Sequence, residues 1–360
     1  MPFGKKKHLI LHDYFENFGG GERLVKVLHD TGIFDLVYGF EKNIIAKKIN
    51  INLNSLNLNK KKQLLIYKKF LLKKNFEKLS IKKKYKTYFF SGNYSIFSNI
   101  KSGGKKIFYC NSLPKIFFEF NKFYSNYDIK KKIINLFYEK KFKKEYIHKL
   151  KLMDIILCNS LNIKNKIKKF TGLEAKVIYP PIETKKFKWI SQQKYFVSNN
   201  RHEVGKNLEK VINAFIKFPN FKIYFTSTGS QTNYLKKISN KYKNIIFTGF
   251  LDEKKYAILI GNCCGTINVT ANEDFGMAAL EGMSAGKPAI VINEGGYLET
   301  IKHKYNGFIL DKNNLENELV KFLFLLNFKK LRKMKINCIN SVKKYSSKNF
   351  IENIKEIIRK

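Results

Sequence analysis

Residues Gly265–Thr300 read GTINVTANEDFGMAALEGMSAGKPAIVINEGGYLET. Gly265–Val269 is a short β-branched run, and Ala289–Asn293 is a second one. Between them a polar turn ends at Phe275-Gly276, and small residues over Ala278–Ala285 follow with helical spacing. Strand, helix, strand in so short a stretch predicts a parallel βαβ unit. Both strands are apolar without alternation, so their sheet should be covered on both faces.

The same alternation continues outward in both directions. Candidate strands are Lys7–His12, Lys106–Cys110, Asp154–Asn159, Lys176–Tyr179, Tyr195–Ser198, Lys222–Ser227, Asn244–Thr248 and Phe308–Leu310. Candidate helices between them include Glu22–His29, Ile163–Phe170, Leu208–Lys217, Gln231–Tyr242 and Leu315–Leu326. One simple sheet cannot hold so many strands, so two doubly wound α/β domains are predicted. The boundary is expected between Pro180-Pro181, which stops a strand, and Gln193.

Three segments carry polar residues suited to chemistry. In the first, Glu273 and Glu281 bracket the turn and the helix start. A helix opening near Gly276 offers free N–H groups to a phosphate, and glycine lets the backbone come close. Glu273 should sit at the carboxyl edge of the sheet, where open α/β sheets bind ligands. Two carboxylates there could accept hydrogen bonds from sugar and ribose hydroxyls. Two solvated glutamates flanking a helix would show the same spacing.

In the second segment, Tyr195–Phe215 (YFVSNNRHEVGKNLEKVINAF), Arg201 and Lys206 fall on a strand-to-helix loop. Two cations there suit a pyrophosphate, the arginine through paired hydrogen bonds. In a lysine-rich chain they could equally be surface charges. The third is His12–Arg23, HDYFENFGGGER, where Gly19-Gly20-Gly21 permits a tight turn and His12 ends the first strand. It is not a GxGxxG fingerprint, so no nicotinamide site is expected.

Composition narrows the classes. The chain has 360 residues, 44% hydrophobic and 27% charged, which describes a globular protein and not a disordered one. Lys+Arg is 70 against 28 Asp+Glu, a formal +42, so phosphate-bearing partners are attracted. Abundant Lys, Asn, Ile, Phe and Tyr with scarce Pro also fit a coding bias that raises lysine everywhere. No apolar window spans a membrane, and Leu9–Leu11 gives way to His12 and Asp13 too soon for a secretory signal. A cytoplasmic location is therefore expected. Cys110, Cys158, Cys263, Cys264 and Cys338 lack metal-ligand spacing and read as reduced, packed thiols.

Two basic stretches stand out, Lys60–Leu79 and Lys130–Lys151. Leu64, Leu65, Leu71, Leu72, Phe76 and Leu79 in the first, and Ile133, Ile134, Phe137 and Phe142 in the second, recur at helical spacing among lysines. Such helices either dock on an anionic membrane surface or turn an apolar stripe to the core.

The chain resembles the retaining GT-B glycosyltransferases of family 4, especially bacterial mannosyltransferase-like members. The resemblance rests on Glu273-Asp274-Phe275-Gly276 followed by Glu281, on Ala285-Gly286-Lys287-Pro288, and on Glu294-Gly295-Gly296. Arg201 with Lys206, Gly19–Glu22, Asn159-Ser160 and Val177–Pro181 add to it. It implies two Rossmann-like domains facing across a cleft: residues 1–188 for the acceptor, 189–346 for the nucleotide sugar, and 347–360 as a helix returning to the first domain. It implies that Glu273 contacts the donor sugar, that Glu281 reads the ribose, and that Arg201 and Lys206 neutralise the diphosphate. Phe275, Gly276, Met277 and Ala278 would hold sugar and distal phosphate through the backbone, with Gly20 and Gly21 nearby. No metal and no cofactor are expected. GDP-mannose is the favoured donor, UDP-sugars remain open, and the acceptor is a saccharide, free or lipid-linked, in polysaccharide, lipopolysaccharide or glycolipid synthesis. Peripheral association with the inner face of the membrane goes with such an acceptor. The family often has histidine where Asn111 stands, and an asparagine cannot serve as a base. Asn111 and His12 are assigned to the acceptor or sugar side. Alternatives are an epimerase or phosphorylase of the same fold, or a basic nucleic-acid-binding protein, for which no recognition motif is present.

Overall fold

The computed structural model describes residues 7–15, 19–41, 51, 53–56, 65–101, 103–119 and 129–359. The chain forms two units, Met1–Pro181 with Phe350–Lys360, and Ile182–Asn349. The split comes earlier than residue 188 because the chain is already committed there. The Ile182 N–H donates to the Tyr345 carbonyl at 2.8 Å, and Ile182 bridges Ser346.

The first unit holds strands β1 (His8–Phe15), β2 (Phe34–Glu41), β3 (Leu53–Ser55), β4 (Thr87–Ser91), β5 (Lys105–Cys110), β6 (Ile155–Cys158) and β7 (Lys176–Val177). They pair in the order β3-β2-β1-β4-β5-β6-β7, all parallel. Helices α1 (Gly20–Asp30), α2 (Leu65–Lys78), α3 (Ile129–Lys151) and α4 (Leu161–Thr171) accompany it. Strand alternation serves two cores. Leu9, Leu11, Tyr88, Phe90 and Phe108 point to one, while Ile10, Phe89, Ile107 and Tyr109 point to the other. Leu72 and Phe76 of α2, and Phe142, Tyr146 and Leu150 of α3, fill the first core. Of the apolar stripes in the two basic stretches, Leu72, Phe76, Leu79 and Phe142 therefore face inward. Leu64 lies outside the described residues, as do the side chains of Leu65, Ile133, Ile134 and Phe137.

The second unit holds β8 (Tyr195–Ser198), β9 (Lys222–Phe225), β10 (Ile245–Phe247), β11 (Gly265–Asn268), β12 (Ala289–Ile292) and β13 (Gly307–Leu310). Their order, β10-β9-β8-β11-β12-β13, is again parallel throughout. Helices here are α5 (Leu208–Ile216), α6 (Thr232–Ser239), α7 (Glu253–Asn262), α8 (Met277–Ser284), α9 (Leu315–Phe324), α10 (Phe328–Lys333) and α11 (Lys335–Val342). All four residues of β8, β11 and β12 are buried, as a sheet covered on both faces requires. The chain's single tryptophan, Trp189, lies between two lysines, with Lys287 Nζ 3.4 Å and Lys335 Nζ 4.8 Å from its ring centroid. Lys287 is fully buried, donates to the Ser191 carbonyl, and has its pKa pulled down to about 8 by that burial.

A final helix, α12 (Ser347–Arg359), packs Phe350, Ile354 and Ile357 into the second core of the first unit. The Phe350 ring meets Tyr109 edge-on at 6.1 Å. All five cysteines are buried thiols. Among the described residues no helix is long and apolar enough to cross a membrane.

Candidate active-site residues

In both sheets the strand order reverses between two central strands, β1 and β4 in the first unit, β8 and β11 in the second. Beyond the carboxyl ends of such a pair the connecting loops diverge, which leaves a crevice for a ligand. The loops after β8 and β11 carry the charged residues singled out from the sequence.

The β8 loop runs from Asn199 to Asn207. Arg201 on it is exposed. Lys206 reaches the other loop, with its Nζ 3.4 Å from Glu273 Oε2 and each side chain about one-quarter exposed. The two loops are tied by their backbones as well. Asn207, in the left-handed region at φ 53°, donates from Nδ2 to the Val269 carbonyl at 2.7 Å. The Ala271 N–H donates to the Gly205 carbonyl at 2.8 Å.

Gly276, at φ 88°, caps α8. A Cβ there would lie 2.7 Å from the Tyr297 ring, so only glycine fits. The backbones of Met277 and Ala278 form the first turn, whose N–H groups have no partner within the helix. The Phe275 ring is buried against Tyr345 at 5.4 Å, so this residue offers a ligand its backbone only. Gly295 and Gly296 explain the spacing downstream. The Gly296 N–H donates to the Glu273 carbonyl at 2.9 Å, and a Cβ on Gly295 would lie 2.2 Å from that oxygen. Glu294 accepts the Asn272 N–H at 2.7 Å and pairs with Lys312 at 2.7 Å. The acidic turn is thus clamped from beneath.

Glu281 occupies a separate position on α8 and is 6% exposed. It accepts from Tyr256 OH at 2.7 Å and from Asn199 Nδ2 at 3.1 Å. Asn199 also donates to Tyr256 OH at 2.6 Å. The pair Glu273–Lys206 therefore joins the β8 and β11 loops, and the group Glu281–Tyr256–Asn199 joins α8 and α7 to the β8 loop.

Several supporting residues carried no sequence signal. Asn199, Tyr256 and Tyr297 act across long sequence separations. His202 is fully buried beside Arg201, with its ring 5.6 Å from Phe247 and Nδ1 3.0 Å from Thr232 Oγ1. Burial holds its pKa below the ordinary value. It anchors the cationic loop to the start of α6.

In the first unit, Gly20 and Gly21 open α1. Glu22 turns back to accept the Gly19 N–H at 2.9 Å, which makes it a helix cap. A Cβ on Gly21 would sit 3.4 Å from His12 Cε1 and 3.5 Å from Asn111 Nδ2, so these three residues meet. His12 is 5% exposed and its ring packs on Phe15 at 4.8 Å. Burial lowers its pKa to about 4. Asn159 Nδ2 donates to the Asn111 carbonyl at 2.7 Å, and Ser160 caps α4 through the Ile163 N–H. Asp13, equally buried, accepts the N–H groups of Tyr94 and Ser95 at 2.8 Å. Burial lifts its pKa to about 7 against the pull of these donors. Among the described residues no group of three His, Cys, Asp or Glu side chains could hold a metal.

Residues 181–340 match the family described as Glycosyl transferases group 1. The alpha-1,3/1,6-mannosyltransferase ALG2 of Dictyostelium discoideum is 31% identical over 201 residues, 48% of this chain and 47% of that protein. An uncharacterised glycosyltransferase of Methanocaldococcus jannaschii is 28% identical over 182 residues, 50% of this chain and 52% of the relative. The chain thus spans about half the length of the curated relatives it matches. Among solved structures, Anabaena HepE in complex with UDP and glucose aligns with a TM-score of 0.76 at 14% identity, covering 98% of this chain and 99% of that one. Sucrose-phosphate synthase from Thermosynechococcus elongatus aligns with a TM-score of 0.79 at 14% identity, covering 98% of each chain. The likeness to the Glycosyl transferases group 1 family is thus carried by residues 181–340, and the chain has the GT-B fold of two Rossmann-like domains.

Proposed function

We propose that this protein is a retaining glycosyltransferase that moves a hexose, mannose first among the candidates, from a nucleotide sugar to a saccharide or lipid-linked saccharide. The observation that carries the reading is the convergence of Lys206 and Glu273, on the loops after β8 and β11, with Glu281 and the first turn of α8, which Asn199 of the β8 loop reaches. Breaking an anomeric C–O bond leaves negative charge on the diphosphate and positive charge on the ring, and a catalyst must stabilise both. Lys206, the exposed Arg201 and the α8 N-terminus supply positive potential for the diphosphate without a metal. Glu273 takes sugar hydroxyls, with Lys206 beside it to share the departing charge. Glu281, ordered by Tyr256 and Asn199, takes the ribose hydroxyls. The leaving diphosphate takes the acceptor's proton.

The mannosyltransferase names among the relatives support mannose, and HepE's UDP and UDP-glucose complexes support a nucleotide-sugar donor. The intended product is a polysaccharide, lipopolysaccharide or glycolipid. The test is acceptor-dependent release of nucleoside diphosphate across a panel of GDP- and UDP-sugars, with the product anomer read by NMR. Lys206→Met should lower kcat/KM by about 10²–10³-fold, mostly in kcat. Unchanged turnover in this variant, or an inverted anomer, would overturn the assignment.

A further inference from the structure

We infer that the corner between α9 and α10 is a docking surface for an anionic lipid bilayer. The core-facing stripe of α9 is already complete, since Leu315, Leu319 and Leu323 are buried. Phe324 and Leu325 follow it directly, yet they are 77% and 64% exposed. Most exposed apolar side chains on a protein surface are single and need no partner. These two are adjacent in the chain and stand at a turn, which is the geometry of a small wedge.

The wedge is rimmed by one sign of charge. Lys321 lies a turn before it, and Lys329, Lys330, Arg332 and Lys333 follow on α10, all exposed. From Leu319 to Ile351 the sequence contains no aspartate or glutamate. An apolar tip within a cationic collar matches the boundary between acyl chains and phosphate headgroups, and each element alone binds weakly. A nucleic acid would engage the cations but leave Leu325 in water. The two basic stretches near α2 and α3 are poorer candidates, because Leu72 and Phe76 of the first and Phe142, Tyr146 and Leu150 of the second are spent on the core, which leaves Phe70 as a single exposed ring. This surface is independent of the donor chemistry, so the inference stands or falls without it.

The experiment is flotation of the full chain with vesicles of phosphatidylcholine containing roughly 30% phosphatidylglycerol, against phosphatidylcholine alone. Phe324→Ser with Leu325→Ser should reduce partitioning at least about tenfold. Lys329→Glu with Lys330→Glu should do the same and should weaken the salt dependence. Lys236→Glu with Lys237→Glu on exposed α6 changes the net charge equally and should stay within about twofold of the unmodified chain. Trp189 emission verifies that each variant is folded. Full binding by the serine variant would overturn the proposal. So would an equal loss in the α6 variant, which would make the attraction a diffuse effect of net charge. Retention of a single-stranded RNA without vesicle flotation would overturn it too.

Discussion

The two sheets have the same parallel order around their switch points, yet their carboxyl edges differ in kind. At the second sheet, charged side chains stay partly open to solvent and the backbone beneath them is clamped, with Gly295 and Gly296 pressed against Glu273–Phe275. At the first sheet the titratable pair His12 and Asp13 is buried, and Gly21 keeps ordinary contact distances to its neighbours. Topology provides the crevice in both. What lines it is decided by a few loop residues: part-exposed charges over a clamped turn at the second edge, buried titratable groups at the first.

Gly296→Ala tests the clamp and has the largest expected effect. A Cβ would lie 2.4 Å from Phe275 Cα and 2.5 Å from the Asp274 carbonyl, both backbone atoms that cannot swing aside. Loss of about 3 kcal/mol is expected in the second unit, read by denaturant unfolding. An unchanged midpoint would mean that the turn is not clamped.

Next comes the buried pair, where pH separates two opposing contributions. His12 has its pKa lowered from 6.5 to about 4, so the folded chain resists that proton. Its stabilising contribution is present above pH 6.5 and is lost as pH falls through 4. Asp13 has its pKa raised from 3.8 to about 7, so the folded chain holds that proton more tightly. Its contribution is complete below pH 3.8 and is lost as pH rises through 7. The two slopes oppose each other across the same window. Relative to the unmodified chain, His12→Gln should gain stability on acidification from pH 7 to 4 by about 2 kcal/mol, and Asp13→Asn should lose a similar amount. Parallel pH profiles for all three proteins would show that neither group titrates there.

The smallest effect is expected at Gly21→Ala. Its Cβ meets only ordinary contacts, and alanine suits the first turn of α1, so stability should rise by about 0.5 kcal/mol. A thermal melt checks this. A large loss would show that Gly21 is as tightly enclosed as Gly296, and the contrast between these two glycines would fail.

The second unit was the more legible of the two in sequence. Its strands are short β-branched runs set off by helices with clear amphipathic spacing, so β8 through β13 lie where apolar continuity places them. In the first unit β2, β3 and β4 lack such a signal. β2 reads FDLVYGFE, and Asp35 and Gly39 break its apolar run. Both have structural reasons: Asp35 accepts from Tyr85 OH at 2.8 Å, and a Cβ on Gly39 would lie 2.7 Å from the His12 carbonyl. β4, TYFFS, is wholly buried but follows a lysine-rich segment that conceals its start. At the candidate site, Glu273, Glu281 and Lys206 were legible because short-range spacing carries them. Tyr256, Asn199 and His202 were not, since their roles arise from contacts between distant segments.

The lysine-flanked Trp189 has a practical consequence. As the chain's only indole, sitting wholly within Ile182–Asn349, it makes selectively excited tryptophan fluorescence a reporter of that half alone. Circular dichroism, by contrast, sums over both halves. A gap between the two melting curves would measure directly how independently the halves unfold.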